Sequence, residues 1–498
     1  MIALSDAFVQ ILILGGIALT CPGLFNALSG LGAAGSNDPK YANQANCALY
    51  ACFAVFGYFG GVFFNLMGNR ILLCAGGLTY CLYALGMYLA SNVDGADWVS
   101  ILVGCLLGVG AGLFWTAQGA MMMSYSTPFN KGNYIGWFWI IFNLGGMLGG
   151  ILQFAVNYNA KDDSTQANKA SYFLFIAIMA IGAVVVPFVI VKADKVKKAD
   201  GSLVSFDKGT SVKDEILGAL KASMNKYMLL LLPFFVASNW FYTYQFNYVN
   251  GTLFNIRTRG LNSAFYWASQ MLSAWLIGLL LDMDRFTRRQ RALVGWLFTF
   301  VCFALAWSFG TYVQYGLEKG YDKDRVILEH IDFKQSKRAW CPILTYIFYG
   351  IADAALQAFA YWLMGAIAGN NTQLSARFAG FYKGIQSAGA AVAWGLDLNS
   401  GITYRDQYWV GFAMWALGSF LAYIAVRFVK NESEETLPAA PVLQKTVSAP
   451  LSGPSTEAIK HSTSMKEQEL NKAMQRATSA NANAAMGASR RKAQATHI

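Results

Sequence analysis

The chain has 498 residues, of which 55% are hydrophobic and only 13% charged, whereas a soluble domain carries roughly 25% charged residues. That deficit excludes a fully solvated surface and fits one facing lipid, as do the 15% aromatic share and the 48 glycines. The net charge of +11 does not point to nucleic acid, because the basic residues sit in connections between apolar runs and in the tail, as membrane orientation requires.

The first apolar run covers about residues 8–31. It has no Lys or Arg before it and is too long for a cleavable signal core. Further runs follow at about 46–67, 71–90, 98–123, 133–156 and 171–191. A basic connector occupies 192–226, and a second set follows at about 227–249, 263–281, 292–314, 341–368, 379–398 and 408–429. Six runs, a charged connector and six more predict an all-α membrane protein of twelve transmembrane helices in two six-helix bundles, residues 1–191 and 227–430. Residues 192–226 are expected to be a cytoplasmic linker. Residues 431–498 are rich in Ala, Ser, Thr, Lys and Gln and are expected to be a disordered cytoplasmic tail.

With both termini cytoplasmic, the inner connections hold Lys192, Lys195, Lys197, Lys198, Lys208, Lys213, Lys221 and Lys226, together with Arg285, Arg288, Arg289 and Arg291. The outer loops hold fewer, except 314–340, where six basic residues are interleaved with five acids. The bias supports an integral, multi-pass protein with cytoplasmic termini. The sequon Asn250-Gly251-Thr252 falls on the outer side but hugs a helix end, which argues against its glycosylation.

Several chemistries are excluded. The eight cysteines lie in or beside apolar runs without metal-ligand spacing, and read as buried small hydrophobes rather than a Cys47–Cys341 disulfide. The histidines are His330, His461 and His497, none inside an apolar run, so no membrane-buried His relay exists. No P-loop or catalytic constellation is present. Neither enzyme activity nor a cofactor or metal is expected.

Residues 61–70 read G-x-x-x-N-x-x-G-x-R, from Gly61 through Asn65 and Gly68 to Arg70. A looser copy sits at the matching place in the second half, where Gly278 is followed by Asp282 and then by Arg285 and Arg288. This pair resembles the loop motif of the major facilitator superfamily, which usually has Asp where Asn65 stands. The resemblance implies a cytoplasmic latch in which small residues allow close packing while a carboxylate and a guanidinium hold the halves in one state. Residues 21–32 (CPGLFNALSGLG), 115–119 (WTAQG) and 381–389 (FYKGIQSAG) narrow the resemblance to the Unc-ninety-three-like ("uncoordinated") branch, especially its fungal members, over about residues 11–429. Members of that branch are linked to potassium-channel regulation, potassium homeostasis or escorting of receptors.

A census of embedded polar residues needs no family. The first span holds Asn26, the fourth Gln118, and the fifth Asn143 and Gln153. The seventh holds Asn239, Gln245 and Asn247, the tenth Asp353 and Gln357, and the eleventh Lys383 and Gln386. The third, sixth, ninth and twelfth have no Asn, Gln, Asp, Glu or Lys in their interiors. Polar groups in hydrocarbon are costly unless they face a cavity or a partner, so every third span is expected to face lipid while the others surround something polar.

Asp353 is the acid deepest in any span, with Gln357 and Tyr361 following at i+4 and i+8 on one face. A carboxylate there costs about 2.5 kcal/mol or more, so it is a cation or proton site or else a buried structural acceptor. Lys383 lies about one turn inside its span, with Gln386 on the same face. It either pairs with Asp353 or, the reading favoured by its position near a helix end, snorkels to the interface. Trp139 and Asn143, at i+4, are either a substrate-facing pair or packing partners. Gly136, Gly145, Gly149 and Gly150 are read as a close-packing stripe.

Two functions follow. One is a secondary transporter for a small solute or cation working by alternating access around Asp353, Gln118, Asn143, Asn26 and Asn239. The other is a non-transporting regulator or escort of a membrane-protein partner.

Overall fold

A computed structural model of the chain describes residues 4–30, 39–93, 95–159, 169–204, 211–317, 330–369, 371–398 and 401–431. The expected tail after Asn431 and residues 318–329 of the acid-and-base-rich 314–340 loop lie outside the described residues. All the long elements are helices. α1 runs through Ala7–Ala18, a π turn at Leu19–Gly23 and Leu24–Gly30. The π turn falls on Cys21-Pro22-Gly23, where the proline removes an amide from the ladder. α2 is Pro39–Tyr58 and Gly60–Met67, bent by 55° between them. α3 (Asn69–Asn92), α4 (Asp97–Tyr125), α5 (Lys131–Asn157) and α6 (Lys169–Val189) complete the first six.

A linker helix, Val212–Ser223, precedes α7, which is built from Lys226–Leu230, Leu232–Trp240 and a π stretch, Tyr244–Thr252. Then come α8 (Ile256–Leu281), α9 (Arg288–Tyr315), α10 (Ser336–Ala368), α11 (Thr372–Asp397) and α12 (Tyr404–Val426). Several begin up to seven residues before their apolar runs. Polar caps start them outside the hydrocarbon: Asn255 for α8, Asn371 for α11 and a Thr403/Asp406 capping box for α12.

Among the described residues, eight helices have the length and hydropathy of a membrane span, and the bent α2 makes a ninth. α6 has a shorter described apolar stretch, Phe173–Val189. α7 is broken into pieces, and α11 carries Arg377, Lys383 and Asp397. These three are the helices that sequence hydropathy serves least.

The lipid-facing expectation agrees with burial. α9 and α12 bury 39% of their apolar stretch and α10 buries 72%. Leu82 on α3, Phe188 on α6, Leu297 on α9 and Phe420 on α12 all point outward. The halves meet along α5 with α8 and along α2 with α11. The glycine stripe makes the first contact. A Cβ on Gly150 would stand 2.5 Å from the Ala264 nitrogen, and one on Gly136 2.9 Å from the Ala274 carbonyl of α8. Gly145 and Gly149 turn instead to α1, against Leu19 and Ala27.

The N-terminus pairs with the linker, Ala7 N–H to the Lys197 carbonyl and Lys197 N–H to that of Ser5. The start of α1, the linker and the end of α12 therefore share one face, called here the terminal face; the opposite one is the far face. No two cysteines are bonded among the described residues, Cys47 and Cys341 included. Asn250 is buried and bonded to Arg259 and Asn262, which leaves no room for a glycan.

Candidate functional site

A cavity of about 450 Å³ opens between the halves. Its rim is at the far face, with Asn43 and Asn46 from α2, Thr252 from α7, and Trp394 and Asp397 from α11. Of the sequence candidates, Asn26, Trp139, Asn239, Gln357, Lys383 and Gln386 line it, while Asp353, Tyr361, Gln118 and Asn143 lie behind the wall.

Asp353 sits halfway along α10 and is fully buried. One carboxylate oxygen accepts from Tyr242 Oη at 3.0 Å, Tyr266 Oη at 2.7 Å and Gln270 Nε2 at 3.0 Å. The other accepts from Gln357 Nε2 at 2.8 Å. Four neutral donors thus converge on it from α7, α8 and α10. Tyr242, Tyr266 and Gln270 were not singled out from sequence. The signal was Gln270, an amide inside an apolar run, with Tyr266 one turn before it.

Lys383 is buried rather than at the interface, which corrects the snorkelling reading. α11 starts at Thr372, not near 379, so Lys383 lies three turns in, too deep to reach the interface. Its Nζ donates to Gln386 Oε1 at 2.8 Å and Gln357 Oε1 at 3.1 Å. It lies 4.9 Å from the Trp115 ring centroid, 5.0 Å from Tyr382 and 5.5 Å from Tyr361. Gln357 is therefore the bridge, giving its amide protons to Asp353 and its carbonyl to Lys383. The acid and base sit in one network without touching.

Below this floor the cavity is sealed. Tyr361 Oη donates to Gln118 Oε1 at 3.3 Å. A Cβ on Gly119 would stand 2.5 Å from the Tyr361 ring and 3.1 Å from Ala379, so α4, α10 and α11 close on one another. Trp139 Nε1, the Asn239 carbonyl and both ends of the Asn143 amide find no hydrogen-bond partner among the described residues.

The latch candidates separate. Asp282 crosses between halves, accepting from the Gly132 and Asn133 amides at the start of α5 at 2.7 and 2.5 Å. Gly278 packs on the Gly132 carbonyl, where a Cβ would stand at 2.8 Å. Burial pushes the Asp282 carboxyl up to about 6, against the pull of those two amides. Gly61 meets Ala376 and Arg377 of α11, and Gly68 takes the φ of 80° that turns α2 into α3. Arg70 does not cross; its Nε donates to the Ile190 carbonyl within its own half. Arg285 reaches Met283 and the face of the Phe286 ring, whereas Arg288 is buried at the start of α9. Asn65 bonds to a residue sequence reading missed, Glu215 of the linker helix, at 2.9 Å.

Twelve helices in two sixes around a central cavity define a multi-pass membrane protein of the major facilitator fold. The chain matches the Escherichia coli xylose transporter in a partially occluded inward-open conformation with a TM-score of 0.52 at 16% identity, over 86% of this chain and 98% of that one. A family model described as "Ion channel regulatory protein UNC-93" matches residues 38–393. UNC93-like protein 1 of Arabidopsis thaliana is 42% identical over 86% of this chain and 92% of its own length. A UNC93-like protein of Schizosaccharomyces pombe is 40% identical over 84% and 81%. The chain belongs to the UNC-93 family.

Proposed function

We propose that this protein is a secondary transporter that moves a small polar solute by alternating access. The observation that carries the reading is the cavity itself, open at the far face, sealed at the terminal face, with the Asp353–Gln357–Lys383 network at its floor. A carboxylate and an ammonium at that depth are costly and serve best where a proton or cation is exchanged. Polar side chains on the cavity lining, Asn26 and Asn46 among them, offer the solute donors and acceptors. With the basic linker on the cytoplasmic side, the cavity opens outward; Lys213→Cys should then react with an impermeant thiol reagent only after permeabilisation, and labelling in intact cells would reverse the orientation.

The rival reading is a regulator or escort of an ion channel, favoured by the family's description. Reconstituted vesicles decide between the two. A panel of neutral sugars, nucleosides and amino acids, with radioactive rubidium as a cation probe, should give protein-dependent uptake that Asp353→Asn uncouples from the ion gradient. No uptake of any probe by folded protein would favour the regulator.

A further inference from the structure

The linker helix occupies a position that a passive connector would not need. Its buried residues are Glu215, Ala219, Ala222 and Ser223, one helical stripe turned toward the terminal face. The Glu215 carboxylate is completely buried, and one of its oxygens meets both halves. It accepts from Asn65 Nδ2 of α2 at 2.9 Å and pairs with the Arg377 guanidinium of α11 at 2.9 Å. Three guanidinium atoms would lie 2.4 to 2.7 Å from a Cβ on Gly218, so any side chain there would displace Arg377. Two turns after Glu215, Ser223 Oγ is 2.8 Å from Tyr58 Oη of α2.

The second half closes the same face differently, with Asp282 bonded directly to the start of α5. In the first half the matching position is Asn65, an amide that cannot form an ion pair. We propose that the linker helix is a removable clamp, in which Glu215 supplies the acid that α2 lacks and holds α2 and α11 together at the terminal face. If that face opens, α2 and α11 separate, and one carboxylate oxygen cannot keep partners on both. A buried carboxylate stripped of its guanidinium is unfavourable, so the helix must lift as the face opens. Anything that holds it down keeps the face shut.

The clamp requires only that this face opens, as the transporter reading also does, and its test needs no solute. Ala379→Cys, buried against Gly119 of α4 behind the seal, serves as reporter, its modification by a maleimide followed by peptide mass spectrometry in purified protein. Glu215→Gln, nearly isosteric, should raise the labelling rate at least about fivefold, the lower end of a typical coupling. Arg377→Gln should do the same, a second route if either variant folds poorly. Adding Asn65→Asp to Glu215→Gln returns an acid beside Arg377 and should bring labelling back toward the parent rate. Labelling unchanged in both single variants overturns the clamp. Labelling that stays high in the Asn65→Asp/Glu215→Gln double variant also overturns it, because Glu215 would then matter for packing rather than charge. Loss of solute uptake with an intact labelling pattern would count against the transporter reading alone.

Discussion

Four donors around one carboxylate leave Asp353 little freedom. Each is an O–H or N–H, so an ionised acid accepts all of them, whereas an amide at this position would turn its own N–H toward a donor. Lys383 is the compensating charge, one amide away. Removing either partner leaves the other buried without compensation, which costs on the order of 3 kcal/mol. Asp353→Asn and Lys383→Met should each lower stability by about that much, while the double variant should lose clearly less than the sum. Thermal unfolding in detergent, followed by tryptophan fluorescence, measures this; simple additivity would mean the two charges are not coupled through Gln357. Asp353 was legible in sequence because a lone deep acid stands out against apolar neighbours. The burial of Lys383 was not, since apolar runs underestimate where a capped helix begins, and a shift of seven residues turns an interfacial lysine into a central one.

At the scale of elements, helix order and the outer position of every third helix were readable from polar content alone. What hydropathy could not give was the break in α7, where a π stretch at Tyr244–Thr252 interrupts the helix, or the linker helix. The latter reads as a basic connector until its Glu215/Ala219/Ala222 stripe and its Ser211 cap are noticed. The contact between the end of α8 and the start of α5 carries its own pH dependence. Asp282 has a carboxyl raised from 3.8 to about 6 by burial, so its closed form binds a proton more tightly than an exposed one would. Closure is therefore assisted fully below about 3.8, and the assistance fades as pH rises through 6. Hydrogen exchange at the first turn of α5 should be slower near pH 5 than near pH 8, after correction for intrinsic exchange, by about tenfold. Asp282→Asn should abolish the difference. A contact more protected at pH 8 would mean that the two amides outweigh burial and hold the carboxyl below its ordinary value.

For the whole molecule, the transporter reading stands on relative motion of the two halves, and α2 with α11 is one of the two seams on which they must move. At the far end of that seam, native Cys47 of α2 faces α11. Its Sγ lies 3.9 Å from the Ala391 carbonyl and 3.9 Å from where a Cβ on Gly395 would stand. Gly395→Cys therefore places two thiols within bonding reach across the seam, near the cavity rim, after a small adjustment. Under oxidising conditions a disulfide between Cys47 and the introduced thiol should fix α2 to α11 and reduce uptake in vesicles at least about tenfold, with full recovery on adding a reductant. The reduced variant is its own control for folding, since Gly395 is half-buried and no other atom of the described residues outside its own helical turn approaches its Cβ within 4 Å. A cross-linked protein that still carries solute at the reduced rate would show that the halves do not rock across this seam. A mechanism in which only the terminal face moves, with the far end of α2 and α11 rigid, would then be required.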